Sequence, residues 1–415
     1  MEKLKNKIIL LLHWSEKYTK TDMVYLVKGG SWLGLGQIVS TAAAFFTSVA
    51  FANLLPPETY GVYKYVLSIT GILLVTTLLG MDLAVIQSTA RGFGGTLITG
   101  VKKRMKWGTL GTIISLLIAG YYYFQGNTEL ALAFCIVSVF MPFSESFDMY
   151  NAFLTGKKLF GSQTRYNIVR KVVSLIAIVG TLFVTQNILV VLLVYFIALT
   201  IPAGFFLWQT VKKHLFNRKN DPKAVNYGKH LSVVYVIGLL LGELDKILVF
   251  HYLGAINLAV YALAVAPTDQ IKGILKNVNA LAMPRFSNRT PEEIRRTLWH
   301  KVLILALVIT IMVLGYIFLA PIFFKIFFPK YLTSIPYSQI LSISLIPAVL
   351  SSFIYTILEA QKDKAGIYKY NIYFNTFGIV ILIPLIYFFG IWGAVISRII
   401  GRFFSLGLSI ILLKR

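Results

Sequence analysis

The sequence predicts an all-α integral membrane protein whose twelve transmembrane helices form two parallel six-helix lobes. Three observations predict it. Of 415 residues, 57% are apolar and only 13% charged, a balance typical of chains that live in lipid. The apolar residues fall in runs as long as the roughly 20 residues needed to cross the hydrocarbon core. Finally, Leu55-x4-Tyr60-Gly61-Val62-Tyr63 is echoed 198 residues later by Leu253-x4-Leu258-Ala259-Val260-Tyr261, close to half the chain length, as two similar lobes would require.

The elements follow in order. Residues 1–28 place Leu4, Ile8, Leu11 and Leu12 on one helical face among six lysines, which suits an amphipathic helix lying on the inner leaflet. The uncharged stretch there is too short for a signal-peptide core, and no small-residue cleavage site follows. The first span, 29–55, carries no charge and is halted by Pro56-Pro57, after which Glu58 and Thr59 give the next helix its polar first turn. That helix, 59–80, holds Lys64 as its only charge before Leu79. The remaining spans are expected at 107–124, 129–153, 168–185, 187–210, 229–252, 255–283, 299–320, 336–359, 370–388 and 391–413. Prolines at 142, 202, 267, 347 and 384 interrupt five of them and free backbone carbonyls there.

Orientation comes from the distribution of Lys and Arg. On one side of the spans lie 34 of the 40 basic residues; the other side has only Lys325 and Lys330, and four remain within spans. Basic residues stay cytoplasmic, so both termini are expected in the cytoplasm of a multi-pass cell-membrane protein. Six spans per half then return the chain to the same side, which makes the repeats parallel. The lobes are assigned to 29–210 and 229–415, joined by a basic linker at 211–228. The outer connections are short, and the aromatic segment from Phe323 to Ser334 reads as an interfacial belt rather than a lid.

Several functions are excluded on the same grounds. The net charge of +24 is spread between apolar runs instead of gathered on a soluble face, so no nucleic-acid partner is expected. Cys135 is the sole cysteine, sits in an apolar run and is expected to pack there. Gly30-x3-Gly34-x-Gly36 opens a membrane helix with no strand before it, which favours close helix packing over a nucleotide loop. The five histidines are scattered, Asn288-Arg289-Thr290 falls on the cytoplasmic side where a glycosylation sequon is irrelevant, and no catalytic or metal constellation is found. No cofactor is expected.

Charges inside spans carry the information, because each is costly unless it is paired or faces a wet cavity. They are Lys64; Glu243, Asp245 and Lys246; Asp269, Lys272 and Lys276 on one helical face; Glu145 and Asp148; and Arg398 and Arg402 one turn apart. Pairing of Asp245 with Lys246 and of Asp269 with Lys272 would pin packing, whereas unpaired members would mark a polar cavity.

Ala52-x-Leu54-x-Pro56-x3-Tyr60-Gly61-x-Tyr63 and Leu244-Asp245-Lys246-Ile247-Leu248-x4-Tyr252-Leu253-Gly254-x5-Val260-Tyr261 resemble the polysaccharide repeat-unit flippases of the MOP transporter superfamily. The resemblance extends over the whole chain in span number, orientation and layout. It implies a MATE-like V of two lobes that carries polyprenyl-pyrophosphate-linked oligosaccharides from the inner to the outer leaflet. It also implies that spans one, two, seven and eight line the cavity, with Lys64, Lys246, Lys272 and Lys276 as pyrophosphate contacts. Arg398 and Arg402 are added as basic residues of span twelve, and Asp245 and Asp269 as sites of coupling to proton or sodium movement. The expected partners are the lipid-linked oligosaccharide, membrane lipids and polysaccharide polymerase machinery, with the protein itself a monomer and not an enzyme. A MATE-like drug or organic-cation antiporter, which needs an acid-lined cavity, and a membrane-embedded polysaccharide polymerase or ligase are the alternatives.

Overall fold

The computed structural model describes residues 23–287, 291–360 and 364–414, with the helix alone described over 23–29, 272–287, 291–298, 358–360 and 364–365 and at 33, 301, 368 and 414. The expected helix at 1–28 lies outside it up to residue 22, as does the sequon Asn288-Arg289-Thr290. The described chain is almost wholly helical and has no strand.

Helices α1 (Met23–Leu54) and α2 (Pro57–Leu73) form the first hairpin, and α2 continues as a short 3-10 turn (Leu74–Thr77) before bending into α3 (Met81–Ala90). Then come α4 (Thr96–Phe124), the broken span α5 (Thr128–Phe140), α6 (Ser144–Phe147) and α7 (Tyr150–Gly156), and the pair α8 (Phe160–Val184) and α9 (Ile188–His214). The second half holds α10 (Ala224–Ser287), α11 (Pro291–Phe327), a 3-10 turn (Pro329–Tyr331), α12 (Ser334–Ile343), α13 (Leu345–Ala360) and α14 (Lys364–Lys414). By length and apolarity alone, seven helical segments among the described residues can cross a membrane, or eight if the bent pair Pro57–Thr77 and Met81–Ala90 is one span. Helices α10 and α14 are each two helices joined at a glycine, Gly254 (φ 85°) and Gly390 (φ 58°), which are the expected boundaries between spans seven and eight and between eleven and twelve. A left-handed residue reverses the chain there without a loop, and only glycine enters that region freely.

The helices run past the expected spans at their basic ends, because hydropathy registers only their lipid-facing part. Thus α4 begins at Thr96, so Lys102, Lys103, Arg104 and Lys106 are helical rather than in a loop. Helix α3, expected as connection, is a fully formed ten-residue helix. Pro142 coincides with the break between α5 and α6, whereas Pro202 and Pro384 lie inside continuous helices.

The chain divides into two compact units. Unit one contains the described residues up to Ser48, with Leu73–Val184 and Leu189–Val233. Its core is Leu78, Met81, Val85, Leu97, Met149, Tyr150, Phe153, Ala203 and Phe206, where α3, α4, α7 and α9 meet. Gly36 packs closely against Thr164 of α8, whereas among the described residues nothing beyond the helix's own backbone stands within 4 Å of where a Cβ would sit on Gly30 or Gly34. Cys135 is exposed instead of packed, as a residue on the outer face of α5.

Unit two contains Val49–Ile72, Thr185–Ile188 and Val234–Arg415. Here the two repeats meet: a Cβ on Gly61 would overlap the carbonyl of Ala255, so this glycine lets α2 lie directly on the second half of α10. Tyr65 stacks on Phe250 with ring centroids 3.8 Å apart. The segment expected as an interfacial belt is instead a packed cap over the first hairpin turn. Phe324, Phe328, Tyr331 and Ser334 are buried; Asn53 donates to the Phe327 carbonyl at 2.8 Å, and Lys330 donates to the Asn53 carbonyl at 2.6 Å.

Candidate functional site

Unit two links five charged side chains that the sequence singles out: Glu243, Asp245 and Lys246 from the first half of α10, Asp269 from its second half and Arg398 from α14. Asp245, on the first half of α10, is at the centre. Its Oδ2 accepts from Tyr261 Oη at 2.6 Å and from Arg398 Nε at 2.6 Å, while its Oδ1 accepts the Lys246 backbone N–H at 2.8 Å. Arg398 also lies 3.5 Å from Asp269 and over the Tyr261 ring. The expected partner of Asp245, the Lys246 side chain, goes elsewhere: its ammonium donates to Glu243 at 2.8 Å, one helical turn away.

Two sites within this network behave differently. Asp245 is only 5% exposed and carries three hydrogen bonds, so it is a structural anchor between α10 and α14. Asp269 is 48% exposed and contributes a carboxylate that solvent can reach. Arg402, one turn beyond Arg398, lies 5.7 Å from the centroid of the Phe374 ring and forms no ion pair among the described residues.

Lys64 comes from the opposite sequence repeat. It projects from α2 with its ammonium 5.2 Å from the Tyr60 centroid and 5.9 Å from that of Tyr63. It makes no ion pair among the described residues, although the charges of Lys246 and Glu243 reach it. Tyr60 and Tyr63 are held by stacking on Phe51 at 6.0 and 4.3 Å, so the aromatic wall beside Lys64 is rigid. Lys272 and Lys276 are on the second half of α10, and their side chains lie outside the described residues.

Unit one has a second buried network that the sequence concealed. Arg104 is fully buried and donates to the Thr77 carbonyl at 3.0 Å, Asp82 at 2.7 Å and the Glu145 carbonyl at 3.1 Å, with the Glu145 carboxylate 3.6 Å away. It pins the bend between α2 and α3. Asp148 pairs with Arg170 and accepts from Asn151 at 2.9 Å. Glu145 and Asp148 stood out in the sequence, but both arginines were counted with the basic ends of the helices. What betrayed them was the excess of carboxylates over cations in the broken fourth span.

The linker between α9 and α10 is also part of unit one. Asp221 accepts from Arg91 at 2.6 Å, Ser88 at 3.0 Å and the Lys223 N–H at 3.0 Å, and its own N–H donates to Thr96. Burial alone would raise its carboxyl, but these donors and the Arg91 charge outweigh that and hold it below the usual carboxylate range.

A family model described as "Polysaccharide biosynthesis protein" matches residues 26–290. The chain belongs to that family. An uncharacterized membrane protein of Methanocaldococcus jannaschii is 26% identical, covering 91% of this chain and 82% of its own. Among solved structures, an inward-facing multidrug resistance MATE transporter of the MOP superfamily aligns at a TM-score of 0.63 and 11% identity, over 90% of this chain and 94% of that one. A MATE transporter in complex with MaD5 aligns at a TM-score of 0.65 and 13% identity, over 94% of each. At such identities the likeness is one of fold. This member of the polysaccharide biosynthesis family is thus a multi-pass membrane protein with the helical fold of the MATE transporters, as the sequence predicts.

Proposed function

We propose that the protein is a flippase for polyprenyl-pyrophosphate-linked oligosaccharide repeat units, moving them from the inner to the outer leaflet by alternating access for cell-surface polysaccharide synthesis. The observation that carries this reading is Lys64, a membrane-embedded cation with an aromatic wall and no ion pair among the described residues. Such a charge is expensive in a membrane helix and marks a site for an anion. Arg402 is the second such cation. A pyrophosphate supplies the missing negative charge through charge-assisted hydrogen bonds, and the aromatic side chains suit the apolar faces of a sugar ring.

The balance of charge favours this cargo over an organic cation. Lys64, Lys246, Arg398 and Arg402 outnumber Glu243, Asp245 and Asp269, whereas a cation exporter needs an acidic site. Coupling to proton or sodium movement is assigned to Asp269, the exposed carboxylate, rather than to Asp245, whose lone pairs are already used. In this reading the protein is a transporter and not an enzyme, has both termini in the cytoplasm, works as a monomer and hands its cargo to polysaccharide polymerase machinery.

The test is glycolipid translocation in proteoliposomes. Lys64→Ala and Arg402→Ala are expected to abolish translocation with the fold intact, and Lys64→Arg to retain part of it. Undiminished translocation in both alanine variants would refute the reading.

A further inference from the structure

Unit one has an open cavity of about 420 Å³, apart from both charged networks, lined by Gly95, Ile98, Thr99 and Lys102 from the start of α4 and by Val211, Leu215, Arg218 and Asn220 from α9 and the linker. Its polar half is cationic. Lys102 and Arg218 are exposed, neither forms an ion pair among the described residues, and no carboxylate lines the cavity. Its other half is aliphatic, through Ile98, Val211 and Leu215.

The strand of linker that carries Arg218 is clamped in place. The Gly95 N–H donates to the Lys219 carbonyl at 3.0 Å, and Asn217 donates to the Gly92 carbonyl at 2.8 Å. Thr99 donates to Asn220 at 3.0 Å across the cavity. Gly95 is so close to the main chain of Arg218 that a Cβ would overlap its carbonyl. The main chain at Arg218 is therefore fixed beside the start of α4, which carries Lys102, before any ligand arrives.

Tryptophans set the depth of the cavity in the bilayer. Trp107 on α4 and Trp208 on α9 are both exposed, and each has a lysine over its ring: Lys229 at 5.7 Å and Lys212 at 5.1 Å. Exposed tryptophan with a neighbouring basic group sits at the headgroup level of a membrane. The cavity lies one to two helical turns from these rings, toward the basic ends of both helices. Two cations, a hydroxyl and an amide above an aliphatic floor match a lipid phosphate with the first carbons of its chains below.

We propose that this cavity is a binding site for the phosphate headgroup of an anionic phospholipid of the leaflet facing the basic side. The site is independent of the cargo proposed above. The charged pair recognises the phosphate, and Ile98, Val211 and Leu215 receive the glycerol and proximal acyl carbons. A lipid there would brace the linker against α4.

Native mass spectrometry of the full-length protein released from nanodiscs of mixed phosphatidylglycerol and phosphatidylcholine tests it. The wild type is expected to retain phosphatidylglycerol in preference to phosphatidylcholine. In Lys102→Ala/Arg218→Ala that preference falls by about thirtyfold, from about 1 kcal/mol for each of the two basic residues at an anionic surface. Lys103→Ala/Lys106→Ala, which removes the same amount of charge from α4 outside the cavity, leaves it unchanged. Equal retention by the first variant, or equal loss in both, would overturn the proposal. Displacement of the lipid by millimolar inorganic phosphate would likewise overturn it in favour of a free anion.

Discussion

Asp245, Arg104 and Lys64 are charges set among packed helices for different reasons, and their neighbours separate them. Asp245 and Arg104 are surrounded by partners, so truncating a partner leaves a buried charge uncompensated, at a cost of about 3–5 kcal/mol. Arg398→Ala and Arg104→Ala are therefore expected to lower the thermal midpoint sharply or to prevent accumulation in the membrane, measured by fluorescence-detected size exclusion after heating. Lys64→Ala removes a cation that no carboxylate neutralises by direct pairing and is expected to leave that midpoint nearly unchanged. Its loss appears instead in cargo affinity, by about 1.5–3 kcal/mol for a charged hydrogen bond. Asp221 gives a pH-dependent counterpart outside the membrane. Its carboxyl is held below its unfolded value, so its contribution is complete above about pH 4 and disappears as pH falls through the lower, folded value. Limited proteolysis of the linker is expected to accelerate at acid pH in the wild type, and to be fast at every pH in Asp221→Ala.

At the scale of elements, the hairpin turns decide the packing. Gly61 faces the Ala255 carbonyl with no room for a side chain, so Gly61→Val must push α2 away from α10. Overpacking of this kind costs about 1–3 kcal/mol, and the displacement also disturbs Lys64 three residues on. The expected outcome is reduced stability together with reduced cargo binding, which Gly61→Ala shows more mildly. The span boundaries were legible in the sequence because Pro56-Pro57, Gly254 and Gly390 stand between long apolar runs. The two segments paired by their similar sequences, around Gly61 and around Leu258, pack in the same unit, with Gly61 against Ala255. What hydropathy could not show was where helices continue into water: α3 and the start of α4 are helical despite their charges, because Asp82 and Arg104 satisfy one another. Partner choice was hidden for a similar reason. Asp245 and Lys246 are adjacent in sequence, yet successive helical residues point about 100° apart, so each finds a partner on another turn or another helix.

At the scale of the whole molecule, the twelve crossings expected from the sequence and the one-sided distribution of its Lys and Arg both place the two termini on the cytoplasmic side. Reporter fusions active only in the cytoplasm are expected to work at both termini, and a reporter inserted near Lys325 to stay silent. The candidate site was partly legible at this scale. Lys64, Asp245, Asp269, Arg398 and Arg402 could be singled out as charges in apolar runs, but not that Arg398 would be spent on Asp245 and Asp269, leaving Lys64 and Arg402 without ion pairs among the described residues. That division follows from distances between helices far apart in sequence. In the proposed function this charge arrangement holds a lipid-linked pyrophosphate. Native mass spectrometry of the protein purified in mild detergent is then expected to find a co-purifying polyprenyl-pyrophosphate glycolipid that Lys64→Ala no longer retains. Phospholipid alone, with small organic cations binding in competition with protons, would contradict it.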